Sequence, residues 1–333
     1  MDMLLLLVIF AVFLALAFDF LNGFHDAANS IATIVSTRVL KPHWAVLWAA
    51  CFNFLAYFFF HLKVANTIGT GLVDPHIIDI HFILAALIGA IVWNIFTWYF
   101  GLPSSSSHAL IGGLLGAAII KAGFAPLQWA GIIKVLVAIV LSPLLGMCLG
   151  LVLMFLTSYV FFNMTPKRND FWFRKLQLVS SALISLGHGG NDAQKTMGII
   201  AVLLFSSGLL GNTFYVPFWV VVSCYFVIAL GTLFGGWRIV RTMGMKITKL
   251  KPISGFCAET ASAITIFIAS AFGIPVSTTH TITGAVIGVG ALHGHRAVRW
   301  GVAERIVWAW ILTIPAAGLV SAATWWVLTF LLA

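Results

Sequence analysis

Two octets hold the residues best placed to do chemistry: Gly101-Leu-Pro-Ser-Ser-Ser-Ser-His108 and Gly273-Ile-Pro-Val-Ser-Thr-Thr-His280. Pro103 and Pro275 interrupt apolar helical runs, because proline lacks an amide donor and clashes with the preceding turn. The hydroxyls that follow are Ser105, Ser106 and Ser107 in one copy and Ser277, Thr278 and Thr279 in the other. Ser and Thr are strong N-caps, so each run is expected to start a new half-helix. Its free N–H groups and positive dipole end would attract an anion without any fixed charge. The hydroxyls add donors suited to an oxyanion with several oxygens. If they only glued helices together, seven hydroxyls, counting Ser104, would lie in apolar surroundings without a ligand, a costly arrangement. His108 and His280, one turn into each half-helix, read equally well as proton relays and as hydrogen-bonded structural groups.

Of nine acidic residues, Asp19, Asp26, Asp192 and Glu259 fall within otherwise apolar segments. Ionisable residues at such positions are functional candidates by default. A shift of 166 residues aligns Asp26 with Asp192, each beside glycine (Gly23; Gly189 and Gly190) where a helix is expected to unwind. Exposed carbonyls, the two carboxylates and the amides of Asn22, Asn29 and Asn191 would then form a hard-oxygen nest for a small cation. Capping of a broken helix is the structural alternative. Asp19 has no counterpart and reads as an interfacial or paired residue. Lys195 stands where the first copy has Asn29. Its ammonium is expected either to pair with Asp192 in place of a bound cation or to meet an anion directly. Glu259, aligned with Leu87, is a candidate protonatable group lacking a symmetry partner.

The elements that must position these groups follow from composition. A chain of 333 residues with 61% hydrophobic content, 8% charged residues and mean hydropathy +1.07 is not soluble, since soluble chains carry about 25% charged residues. The runs 3–18, 45–60, 82–100 and 129–162 are almost free of charge, and about 20 such residues span a bilayer. The net charge of +9 resides in short loops, which is the positive-inside pattern rather than a nucleic-acid footprint. The first twenty residues contain no Lys or Arg and no clear cleavage site, so a retained first helix is expected. Cys51, Cys148, Cys224 and Cys257 lie singly in apolar segments and read as buried small apolar residues, not a disulfide or metal framework.

Under a shift of 172 residues, windows 101–116 and 273–288 match at six of sixteen positions. Both offsets are near half the chain, so the fold class expected is an all-α polytopic membrane protein of two inverted repeats. Each would hold an interrupted helix and a re-entrant helical hairpin. The repeats are assigned to 1–162 and 176–333, with a basic cytoplasmic linker at 163–175. Hairpins at 83–120 and 253–291 place fourteen of the eighteen Lys and Arg on one face, in 38–43, 163–175, 238–251 and 296–305. Lys63, Lys121 and Lys134 fall on the other face, with Asp2, Asp74 and Asp79, and Lys195 at membrane depth. Both termini are then external. Gly112, Gly116, Gly284 and Gly288 read as small-residue packing faces. Inverted repeats with interrupted helices point to a secondary transporter; a passive channel needs this architecture less often. An intramembrane hydrolase built from the Ser run and His108 fits poorly, because those groups sit one to four residues apart on a duplicated tip.

Five motifs in order, NGFHDAANSIATIVSTR (22–38), HGGNDAQKTMG (188–198), GTLFGGWRIVRTMG (231–244), GFCAET (255–260) and GIPVSTTH (273–280), closely resemble the inorganic phosphate transporter (PiT) family. The resemblance runs from about residue 18 to 305. It implies a non-enzymatic symporter of the cell (inner) membrane, set in lipid and assembled as a homodimer, that carries inorganic phosphate, free or as a metal–phosphate complex, with a cation. No resident cofactor is implied. Residue by residue, the family's paired aspartates fall on Asp26 and Asp192. Its phosphate-binding tips fall on Ser105, Ser106, Ser107, Ser277, Thr278 and Thr279, and its functional glutamate on Glu259. Sodium-coupled relatives commonly have Asn where this chain has Lys195, and Glu near Asn53. His25 together with Gln194-Lys195 is similar to bacterial proton-coupled members. Proton coupling is therefore the first expectation and Na+ at Asp26/Asp192 the alternative. Sulfate, also a tetrahedral oxyanion, is the rival substrate.

Overall fold

Breaks, most of them at proline or glycine, divide the chain into two matching series of helices. The computed structural model describes residues 3–331; Asp2, assigned above to the external side, lies outside them. The first series is α1 (Met3–Ser36), the bent pair α2 (Pro42–Leu55) and α3 (Lys63–Thr70), the hairpin α4 (Ile80–Tyr99) and α5 (Ser106–Ala122), and α6 (Trp129–Val160). The second is α7 (Pro166–Ser206), the bent pair α8 (Phe218–Phe234) and α9 (Trp237–Arg241), the hairpin α10 (Pro252–Ala271) and α11 (Thr278–Ala291), and α12 (Trp300–Leu331). The bent pairs turn by 85° and 61°. Helices α1, α4, α6, α10 and α12 are each long and apolar enough to cross a membrane, which makes the chain a multi-pass membrane protein.

Apolar side chains such as Phe13, Val140, Phe155 and Leu319 cover the outside. The polar residues are inside. Every residue from 187 to 204 of α7 is buried, as is every residue from 25 to 34 of α1. A helix buried all round in water would be uniformly apolar; these two are most polar where they are most enclosed, so the centre of the molecule is a polar site.

Both hairpins are built as the octets suggest. Gly101 (φ 64°) and Gly273 (φ 67°) end the first arms in the left-handed conformation that glycine tolerates. Ser105 and Ser277 then cap the second arms, accepting from the backbone N–H of His108 at 3.2 Å and of His280 at 3.1 Å. The first hairpin leaves on the face where it starts, because Lys121 at the end of α5 pairs with Asp79, the N-cap of α4.

The second arms are exchanged between halves. A Cβ on Gly116 of α5 would lie 2.1 Å from the Gly318 carbonyl oxygen of α12, and one on Gly288 of α11 would lie 2.1 Å from that of Met147 in α6. The small-residue reading therefore holds, with the partner in the opposite half each time. Backbone cannot yield as a flexible side chain can. We expect Gly288→Val to cost at least the roughly 1–3 kcal/mol of an overpacked core, seen as a lowered melting temperature of the purified protein. An unchanged melting temperature would contradict this contact.

Two expectations are corrected. Helices α1 and α7 run unbroken through Gly23, Gly189 and Gly190, and the interruptions fall instead at 59–62 and 235–236. A Cβ on Gly23 would lie 2.1 Å from Ile228 O and one on Gly189 2.4 Å from Asn53 O, so these glycines admit α8 and α2 against the central helices. Their helices stay intact, and the carbonyls of Gly23 and Gly190 accept from Thr232 at 3.3 Å and from Gln194 at 2.7 Å. Most of the linker at 163–175 is helical, forming the first turns of α7 from Pro166. Second, Cys224 and Cys257 are buried but Cys51 and Cys148 are exposed, on the apolar outer surface.

Candidate functional site

The two capped half-helices meet at the centre. His108 and His280, one turn inside them, lie edge to face with ring centroids 4.5 Å apart, and His280 stacks on Trp310 at 3.9 Å. Around this junction the central helices make matched contacts with the hairpin tips. Ser106 Oγ lies 2.7 Å from Asn22 Oδ1 and 2.8 Å from Asp26 Oδ2; in the second half Thr278 donates to Asp192 Oδ2 at 3.1 Å. Across the halves, Asn29 Nδ2 donates to Thr278 and Thr279, both at 3.0 Å, and Lys195 donates to Ser107. The 172-residue shift pairs Ser106 with Thr278 and Ser107 with Thr279, so one contact set is used twice.

Lys195 departs from that symmetry. Its Nζ donates to Asp192 Oδ1 at 2.5 Å, to the Val276 carbonyl at 2.9 Å and to Ser107 Oγ. All three ammonium donors are thereby used, in a side chain only 1% exposed. The pairing with Asp192 expected from sequence is present. On the first-half side, Asp26 Oδ1 is 2.7 Å from His25 Nδ1, whose Nε2 is 3.1 Å from Thr97 Oγ1.

His25 and His188 belong to this cluster although the residue-by-residue reading did not place them in it. Asp26, His188 and Asp192 each present one ligand atom, all within 4.8 Å of one another. His188 Nδ1 is 3.2 Å from Asn53 Oδ1, while its Nε2 has no hydrogen-bond partner and lies 3.4 Å from Asp192 Oδ2. An oriented imidazole with a free nitrogen beside two carboxylates is a fitting donor set for a cation. The available sequence signal was positional: His188 aligns with Asn22, already a candidate.

Two candidates lie outside the cluster. Asn191 Nδ2 is held by Ser270 Oγ at 2.8 Å and the Ile274 carbonyl at 3.4 Å, tying α7 to the end of α10. Glu259 accepts from Thr33 at 2.5 Å, from Gln177 at 2.9 Å and from Ser180. At about 1.5 Å per residue, Ser180 is about 18 Å along α7 from Asp192. Glu259 therefore occupies its own fully satisfied nest between α1, α7 and α10. Asp19, read as a paired or interfacial residue, is buried and accepts from Thr196 at 2.8 Å.

Comparison with known proteins agrees with this architecture. Residues 22–321 match the Phosphate transporter family. A "Probable low-affinity inorganic phosphate transporter" of Rhizobium meliloti (strain 1021) is 66% identical over 308 residues, covering 92% of each chain. A protein of the same description from Bacillus subtilis (strain 168) is 45% identical over 333 residues, covering 99% of this chain and 100% of its own. Among solved structures, one described as "The sodium-dependent phosphate transporter" superposes with a TM-score of 0.90 at 27% identity, covering 97% of this chain and 99% of the other. With a match that spans nearly all of its length, the chain belongs to the phosphate transporter family.

Proposed function

We propose that the chain is a proton-coupled symporter that imports inorganic phosphate by alternating access. The observation that carries the coupling ion is the cage around Lys195. A carboxylate, a hydroxyl and a backbone carbonyl are the oxygen donors a small monovalent cation takes, and here they surround a tethered ammonium. One position at which a relative could hold an exchangeable ion is filled by the protein itself.

Phosphate sits between the hairpin tips, held by Ser106, Ser107, Thr278 and Thr279 and by the first free amides of α5 and α11. Ser105 and Ser277 preserve the caps that aim those amides. Two carboxylates near an arriving anion oppose it by about 4 kcal/mol per unit-charge pair at 4 Å and an effective dielectric of about 20. Lys195 offsets one carboxylate; protons shared among His25, Asp26 and His188 offset the other. Phosphate and protons therefore favour each other's binding, which is the thermodynamic content of coupling. If the cargo is a metal–phosphate complex, its cation falls to Asp26, His188 and Asp192. Glu259, between this cluster and the basic face, is a second protonatable position on the route out.

The halves are inverted, the basic face is cytoplasmic and both ends are external. Support comes from the exchanged hairpin contacts and from the gathering of fourteen of eighteen Lys and Arg in four segments. Contacts join those segments: Arg174 donates to the Arg38 carbonyl at 2.9 Å, and Thr248 to the Ala297 carbonyl at 2.9 Å.

The test is phosphate uptake into proteoliposomes under an imposed pH gradient without sodium, and separately under a sodium gradient at equal pH. The pH gradient alone is expected to drive accumulation, with arsenate but not sulfate competing. A requirement for sodium would overturn proton coupling, and flux indifferent to both gradients would overturn symport. Glu259→Gln is expected to retain phosphate-dependent thermal stabilisation while slowing pH-driven uptake by about tenfold or more, within the usual contribution of a positioned proton-transfer group. Unaltered uptake would remove Glu259 from the pathway.

A further inference from the structure

On the basic face, transport through the membrane centre leaves one feature without a use. Between the far ends of α10 and α11, the segment after α9 and the start of α12 lies a cavity of about 450 Å³ rimmed by Lys249, Lys251, Arg296 and Arg299, with His293 beside them. No acidic residue lines it. Among the described residues none of these four cations takes part in an ion pair. Its floor is apolar, including Met154, Ile253 and Val289. It continues into a second cavity of about 410 Å³ that shares Met154, Lys251, Ile253 and His293 and reaches Phe161 and Phe162 beyond the end of α6. Phe162 is 83% exposed. One acid, Asp170, lines this extension, and it is engaged by Arg174 at 2.8 Å.

The positive-inside rule accounts for basic residues on this face. It does not account for four of them around one concavity with no counter-charge and an apolar floor leading outward. Like charges gathered within a Debye length of about 8 Å repel one another, and a bound anion relieves that repulsion. Arginine forks match phosphate oxygens, and basic pockets between membrane helices on the cytoplasmic side take anionic lipid headgroups. We propose that this groove binds the phosphoryl group of an anionic phospholipid, at a site separate from the membrane-centre cluster. Free phosphate shares the recognition chemistry but would leave the apolar floor uncovered. A seated headgroup clamps the α10–α11 hairpin to the start of α12 and to the segment after α9. The inference does not depend on the coupling ion.

The test uses full-length, delipidated protein, with native mass spectrometry and thermal melting as readouts. The probes are phosphatidylglycerol, phosphatidylcholine and pyrophosphate. Lys249→Gln/Arg296→Gln/Arg299→Gln is compared with Lys41→Gln/Lys167→Gln/Arg168→Gln, which removes the same charge from the same face outside the cavity. Phosphatidylglycerol, not phosphatidylcholine, is expected to bind and stabilise the unmodified protein and the control. Binding to the cavity variant should be about a hundredfold weaker, from the contribution each basic residue makes near an anionic headgroup. Equal weakening in both variants, or no selective lipid binding, would overturn the site. Pyrophosphate binding lost only in the cavity variant, without any lipid effect, would overturn the lipid as its source. Should the triple variant not fold, Arg296→Lys/Arg299→Lys keeps the charge and removes the forked donors. Its lipid affinity is expected to fall, and an unaltered value would count against the proposal.

Discussion

Asp192→Asn is expected to abolish phosphate uptake in a protein that still inserts and elutes as a folded species, and Asp26→Asn to do the same. Asp192 is the acid that pairs with Lys195, and both side chains are buried. Its replacement leaves an ammonium buried without its carboxylate, at about 3–5 kcal/mol for one partner of such a pair removed, or roughly a hundred- to several-thousandfold at 1.4 kcal/mol per tenfold. Asp26→Asn keeps the shape of a side chain that meets His25, Ser106 and, at 3.4 Å, Thr279. It removes the charge that gives a proton or cation a reason to be there. Uptake into proteoliposomes, paired with gel filtration of the same preparations, checks both. Normal uptake by both variants would take the central cluster out of the mechanism.

Lys195→Asn is the second large effect. The substitution places at 195 the residue already found at the equivalent position 29, and opens the space between Asp192, Ser107 and the Val276 carbonyl. In sodium-free medium we expect pH-driven uptake to fall by about a hundredfold, the lower end of the cost of an uncompensated buried carboxylate. Sodium is expected to restore part of it, because the oxygens left behind suit that ion. Lys195→Met, which fills the space and offers no ligand, should lose uptake without rescue. Unimpaired uptake by the Asn variant, with no response to sodium, would show that the ammonium is not a substitute cation.

The hairpin tips were legible because their signals are local. A proline, a run of capping hydroxyls and a glycine dictate a break wherever they occur together, and duplication excluded coincidence. The Asp192–Lys195 pair was equally local, being one helical turn apart. Glycine inside the central helices was misread, since the same residue permits either unwinding or close approach, and only the partner decides. For Gly23 that partner is Ile228, about two hundred residues away in sequence. The nest around Glu259 was hidden for a related reason. Thr33, Gln177 and Ser180 are commonplace residues on two helices, and only the folded chain brings them to one carboxylate. By the 166-residue shift the positions equivalent to Thr33, Gln177 and Ser180 are Ile199, Ala11 and Leu14, all apolar, as is Leu87, the equivalent of Glu259 by the 172-residue shift, so this polar set has no counterpart in the other half.

The exchanged hairpin arms constrain how the protein can be made. Helix α5 is finished at residue 122, but the helix that covers Gly112 and Gly116 begins at residue 300. At about 5–20 residues per second, the ribosome needs roughly ten to forty seconds to deliver it. Ser107 and His108 are also made before the residues that later meet them, Lys195 and His280. Helix α6 waits likewise for α11. Neither half made alone can complete its own hairpin, so two separately translated halves should be protease-sensitive singly and protected when co-expressed.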